Sequence, residues 1–366
     1  MRAARASALL HRDERPKGDR TTVQSRKHPM SQAETFSGFS ERYGDFPDYI
    51  LKITRDIWEG RAIGSLNRTY SSDIPMRFPS GVVVGNQATI DGTMATLAEF
   101  PDRTLYGEDV IWCGNADDGY LSTHRLVSTA HCTGIGPFGT LIEGARGKPI
   151  RIRAIADCAA KADVIYDEWL IRDSGSIVRQ LGGEPERFAR DLIMLEGGPE
   201  RAVRPWTPEN DMPGDYTARG NDNEWGRRYA EILHSIMAKD LDVIEGRYDR
   251  GCQIEAPGVS GTSWEAADRF WLPLRSSFPR AEFAIHHVIG REDPMLSPRA
   301  AVRWSLWGEH AGWGAYGAPT GAKVHVAGIS HAEFGPWGLR REWTLIDEVS
   351  IWKQIHLAGM DATGRD

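Results

Sequence analysis

The sequence has little cysteine. Its four residues, Cys113, Cys132, Cys158 and Cys252, form no Cys-x-x-Cys pair, which excludes a disulfide scaffold and the usual zinc-finger spacing. Reduced, buried thiols in a cytoplasmic protein are the expectation. Positive charge is also short. Lys and Arg number 44 against 51 Asp and Glu, for a formal net charge of -7; with no basic stripe in either half, a nucleic-acid partner is not expected. No apolar run is long enough to span a bilayer, and Ala8-Leu9-Leu10 is too short for a signal-peptide core, so no membrane partner is expected. A Gly-x-Ser-x-Gly elbow is absent, and Gly144-Ala145-Arg146-Gly147-Lys148-Pro149 lacks the glycine spacing and the Ser/Thr of a phosphate loop. His286 and His287 are adjacent and so point to opposite faces of a strand, which prevents them from sharing a metal. No metal site is expected.

What the sequence does have is a repeat. Glu168-Trp169-x3-Asp173-x2-Ser176-Ile177-x2-Gln180 recurs as Glu342-Trp343-x3-Asp347-x2-Ser350-Ile351-x2-Gln354, at a constant offset of 174 residues. Tyr70 and Tyr248, Phe100-Pro101 and Phe278-Pro279, and His131 and His310 recur at nearly the same offset, which marks a duplication across most of each half. A chain of 366 residues accommodates two domains, each large enough for its own core. Residues 1–40 lack hydrophobic periodicity and read as a flexible N-terminal arm, or as an extension upstream of a start at Met30. Residues 41–182 and 223–360 read as the two domains, and the Pro- and Gly-rich 183–222 as a linker with a short helix at Glu186 to Leu195.

Each half opens with three helical segments. Tyr49, Ile50, Ile53 and Ile57 make the first apolar face, and Trp225, Tyr229, Ile232 and Ile236 its later copy. Strands follow at about 103–113, 120–132, 149–159 and 163–173, and at about 281–290, 299–311, 322–333 and 339–347. The fold class is therefore α+β, with helices on one face of an antiparallel sheet in each half. Thirteen tryptophans fit either well-packed cores or pockets for aromatic ligands.

Strand alternation puts Trp343, Leu345 and Asp347 on one face, and Trp169, Ile171 and Asp173 likewise. Such an Asp either faces an apolar pocket, where desolvation raises its pKa, or caps a following helix at the sheet's rim. His131 and His310 end matching strands, and Arg125 shares His131's face. They can polarise a carbonyl or hydroxyl, or hydrogen-bond at the rim. Tyr70 and Tyr248 can donate into a pocket or pack at a helix end.

Each half resembles the SnoaL-like polyketide cyclases of the nuclear transport factor 2-like superfamily. The resemblance rests on the helix-rich start, the Phe-Pro ending the third helix, His310-Ala311-Gly312, Pro319-Thr320-Gly321 and the Glu-Trp-x3-Asp-x6-Gln run. It implies a cone-shaped sheet around a pocket, and aldol-type cyclisation, or the reverse C–C cleavage or deformylation, of an aromatic or polyketide-like molecule without cofactor. It also implies an acid/base Asp with a nearby His, which Asp347 and His331 match. Asp157 stands at the His331 position of the first half, so that half has Asp157 and Asp173 where the second has the His–Asp pair. The C-terminal half is then the better candidate for the working pocket, with the N-terminal copy divergent or structural. Single-domain relatives pair sheet to sheet, so the halves are expected to form an internal pseudo-dimer, with further homo-oligomers open. A non-catalytic module that binds a small molecule or a partner is the rival reading.

Overall fold

A computed structural model describes residues 36–363; most of the proposed N-terminal arm lies outside them. The first half runs α1 (Phe46–Trp58), α2 (Leu66–Thr69), β1 (Pro75–Phe78), β2 (Gly81–Val84), α3 (Asn86–Glu99), β3 (Thr104–Asn115), β4 (Gly119–His131), α4 (Gly136–Leu141), β5 (Pro149–Lys161), β6 (Val164–Arg172) and α5 (Ser174–Leu181). After α6 (Pro185–Leu195) the order recurs: α7 (Glu224–Ala238), α8 (Asp242–Arg247), β7 (Tyr248–Ala256), β8 (Val259–Thr262), α9 (Glu265–Ser277), β9 (Glu282–Arg291), β10 (Arg299–Glu309), β11 (Lys323–Gly335), β12 (Gly338–Ile346) and α10 (Glu348–Thr363).

These strands make two six-stranded sheets of identical topology, β2-β1-β6-β5-β4-β3 and β8-β7-β12-β11-β10-β9. The sheets are mixed rather than purely antiparallel, because β1 runs parallel to β6 and β7 parallel to β12. The hairpins β1–β2 and β7–β8 carry that parallel pairing. β1, β2 and β8 have four residues each, too few for alternation to announce them. Register shifts at Gly107/Asp109 and Arg303/Trp304 bulge the matching outer pairs, which increases their twist and bends them.

Local chemistry fixes the helices. Asp45 accepts the Asp48 N–H at 2.7 Å to start α1, whose face of Tyr49, Ile50, Ile53 and Ile57 is buried. The described residues from Phe36 onward form one compact unit. In it the helix-free faces of the two sheets meet around Ile155, Trp169, Ile171, Ala327, Ile329 and Leu345. Two matching arginine clusters cross this seam. Arg125 stacks on Trp343, 3.5 Å from its ring centroid, and donates to His331 Nδ1 at 3.2 Å. Arg303 stacks on Trp169 at 3.7 Å and donates to Asp157 Oδ2 at 2.9 Å. The connector's α6 packs against α10, and beyond it Glu196 holds Lys353 at 2.6 Å.

Candidate active site

The best-formed cavity lies inside the first half, between α1, α2, α3 and the helix-side face of its sheet, with a volume of about 280 Å³. Alternation along β6 aims Glu168, Leu170 and Arg172 into it, while Trp169 and Ile171 point to the seam. His124 and Leu126 enter from β4, Arg103 from the residue before β3, and Tyr70 from the end of α2. The rest is mostly apolar wall, including Ile50, Ile53, Ile57 and Ala156.

Glu168 dominates this chamber. It is 4% exposed, and burial pushes its carboxyl up to about 7 against the opposing pull of the Tyr70 hydroxyl and the Arg172 charge. Its Oε2 has no hydrogen-bond partner. His124 is also buried, which pulls its pKa down to about 4 and keeps the imidazole neutral; its Nδ1 lies 3.1 Å from Ser122 Oγ. Arg103 donates from Nε to Ser128 Oγ at 2.9 Å and lies over the Trp58 ring. Burial and the like charge of Arg172 lower its pKa to about 9, so it stays cationic near neutral pH. An acid/base group, a neutral donor and two cations thus share one apolar enclosure.

In the second half the equivalent space is filled. Leu126 pairs with Ala154 across the first sheet, and Trp304 with Gly328 across the second, so an indole stands where the first half has leucine. Counting back from the shared Phe-Pro, Gly92, Thr93 and Thr96 on α3 correspond to Phe270, Trp271 and Leu274 on α9. Trp271 and Trp304 are 0% and 1% exposed. Glu342, the counterpart of Glu168, accepts from Tyr229 at 2.7 Å, Tyr248 at 2.9 Å and Trp271 at 3.4 Å. Fully satisfied, it belongs to a buried core polar network.

The family model for the SnoaL-like domain matches residues 227–341. Residues 227–341 form a SnoaL-like domain. Solved structures similar to part of the chain include IdmH from Streptomyces antibioticus (19% identity, 37% of this chain and 97% of that one, TM-score 0.31). They also include a SnoaL-like polyketide cyclase from Agrobacterium tumefaciens (17%, 37% and 97%, 0.31) and TsrD from Streptomyces laurentii (15%, 37% and 93%, 0.30). No curated protein matches the sequence. The match to the SnoaL-like domain thus falls on the half whose interior is filled, and the cavity on the other.

The face carrying Trp343, Leu345 and Asp347, expected either in a pocket or at the rim, faces the seam. In the SnoaL-like domain His331 is completely buried there against Arg125, and Asp157 occupies the matching place against Arg303. Trp169 and Trp343 are the platforms on which those arginines stack. Asp347 caps α10: Oδ1 accepts the Val349 N–H at 3.1 Å, and Oδ2 accepts from Ser350 Oγ at 2.8 Å and Ser174 Oγ at 3.3 Å. Burial raises it to about 6. Asp173 caps α5 through the Ser176 N–H at 2.9 Å; burial raises it to about 7, and it borders a groove of about 320 Å³ with Arg153, Glu255 and Trp343. His131 is exposed and pairs with Asp102 at 2.6 Å. His310 is buried, 3.1 Å from Thr320 Oγ1 and packed on Phe278. Tyr248 belongs to the Glu342 network. Of the candidate site residues named from sequence, Tyr70 alone lines the cavity.

Sequence reasoning missed Glu168, Arg172, His124 and Arg103. The usable signal lay inside the repeat: Glu168 alternates with Leu170 and Arg172 one position out of phase with Trp169, so the two faces of β6 carry different charges. Among the described residues no group of three or more His, Cys, Asp or Glu side chains is placed to hold a metal, and no helix is long and apolar enough to cross a membrane.

The cap role of Asp347 has a testable cost. Asp347→Ala is expected to destabilise the chain by about 1 kcal/mol, and Asp347→Asn, which caps nearly as well, by less. Urea unfolding measures both; a loss several-fold larger for Asn would show that the charge, not the cap, is what matters.

Proposed function

We propose that the chain is a cofactor-independent acid/base enzyme whose working chamber is the first-half cavity, and that it acts beside a carbonyl group of a small aromatic or polyketide-like molecule. The observation that carries this reading is Glu168: a buried carboxyl with a pKa of about 7 and an unpartnered oxygen in an apolar chamber, poised to take and return a proton near neutral pH. The SnoaL-like match of the second half supports the reaction class. In the forward direction Glu168 removes a proton from the carbon next to a carbonyl, and the C–H electron pair moves to the oxygen as an enolate. With the Ser122 hydroxyl, 3.1 Å from Nδ1, taken as the donor, His124 carries its ring proton on Nε2 and donates a hydrogen bond to that oxygen. The enolate carbon bonds to a second carbonyl carbon, and the resulting alkoxide takes the proton back from Glu168. C–C cleavage is the same sequence reversed, beginning with a hydroxyl proton.

We further propose that residues 41–182 and 223–360 are tandem SnoaL-like domains joined by 183–222, with the second as a packing partner, a role favoured by its filled interior. The test needs no natural substrate. In D2O the protein should accelerate deuterium uptake beside the carbonyl of β-tetralone, followed by NMR, and Glu168→Gln should not. Equal exchange by both proteins, or by neither, removes the acid/base assignment; with neither active, a binding role remains.

A further inference from the structure

Four other arginines with little exposure each face a carboxylate. Arg77 meets Asp167 at 2.5 Å, Arg125 meets Glu108 at 2.9 Å, Arg303 meets Asp157 at 2.9 Å, and Arg299 pairs with Asp109. This is the usual way a guanidinium leaves water, since an unpaired buried cation is costly. Arg103 and Arg172 break the pattern. Both line the cavity, and among the described residues no carboxylate oxygen lies within 4.0 Å of either guanidinium. Arg103's one side-chain partner is the neutral Ser128 hydroxyl, and Arg172 Nε is buried without a partner. The two cations also lie close enough to oppose each other's charge.

Glu168 is near Arg172 but cannot balance the chamber. It and Asp347 both act on Arg172, whereas among the described residues the only charge acting on Arg103 is the like charge of Arg172. Aromatic rings stand beside both cations, Trp58 at 4.7 Å from Arg103 and Phe78 at 5.6 Å from Arg172. They stabilise a guanidinium without neutralising it.

We infer that the cavity takes an aromatic or alicyclic acid, whose carboxylate sits between Arg103 and Arg172 while its ring system fills the apolar wall of Ile53, Ile57 and Leu126. This deepens the acid/base reading above and rests on the same chamber. The carboxylate supplies the missing charge through the paired donors that suit a guanidinium fork. It also fixes which carbon of the ligand reaches Glu168.

Naphthoate and naphthamide, which differ only in the charge of the head group, are the probes, titrated calorimetrically into the full chain. Naphthoate should bind at least about tenfold more tightly than naphthamide, the value of one good hydrogen bond to a charged group. Arg103→Met or Arg172→Met should remove that preference, and Arg103→Lys should restore part of it. Equal affinity for the two probes, no binding of naphthoate, or a preference that survives both Met variants would overturn the inference. If the Met variants fail to fold, the comparison of probes on the unaltered chain decides. Glu168→Gln separates the two claims. A carboxylate preference that persists while exchange also persists would leave the anion site standing and refute Glu168 as the base.

Discussion

Glu168→Gln is expected to lower carbonyl-adjacent proton exchange by about 10²- to 10⁴-fold, the usual contribution of a positioned general base, and at the same time to make the protein more stable at pH 8. The two effects share one cause. Burial holds the Glu168 carboxyl up to about 7, above its unfolded value, so the neutral form suits the fold. The stability from keeping it neutral is fully present below the ordinary carboxylate range and is lost as pH rises through about 7. Glutamine stays neutral throughout, so its advantage grows over that window, up to a few kcal/mol by the size of the shift. The exchange rate of the unaltered protein should rise over the same window, because only the carboxylate accepts a proton. The groups that set this pKa are the Tyr70 hydroxyl, the Arg172 charge, the Cys158 thiol and the Asp167 carboxylate. Urea unfolding at pH 5 and pH 8, with the pH profile of exchange, checks both halves. A variant that is slow and also less stable at pH 8 would mark Glu168 as a structural residue.

The second large effect concerns why one interior is open and the other closed. Trp304→Leu is expected to destabilise the chain by roughly 3 kcal/mol, through lost burial and a void that the rigid sheet cannot close. Gly328→Ala should also be costly on its own, because a Cβ there would lie 2.2 Å from the Trp304 ring. Together the two changes reproduce the Leu126 and Ala154 pair of the first half. The double variant should therefore lose less than the sum of the singles, with a coupling of about 1–3 kcal/mol. Strict additivity in urea unfolding would show that the indole and the glycine are not matched to each other.

Much of the fold could be read from the sequence because duplication supplied two noisy copies of each signal. The long strands β3 to β6 and β9 to β12, and the helices before them, follow from alternation and from the apolar faces of α1 and α7. The short hairpins were hidden by their length, and β7 by Asp249, Arg250 and Gly251 near its start. The site was much harder to read. Alternation correctly grouped Trp343, Leu345 and Asp347, but one sequence does not reveal which face of a two-sided sheet covers a pocket and which meets another sheet. Both faces are apolar here, and Arg303 on Trp169 and Arg125 on Trp343 each come from the opposite half, outside any local window. Nor can a motif report that its own interior has been filled: the second half carries the clearer family signature because its scaffold is intact, while Phe270, Trp271 and Trp304 occupy the space.

The seam has a kinetic meaning as well. Arg125 meets neutral His331, whose pKa burial holds far below its ordinary value, whereas the matching Arg303 meets the acidic Asp157. In an assembly of two identical chains any substitution at such a position would appear on both sides at once. Covalent linkage lifts that constraint, and it keeps each half at a high effective concentration about the other that dilution does not change. One lobe can then drift toward a solid wedge while its neighbour stays hollow, with no risk that two hollow lobes or two solid ones find each other instead.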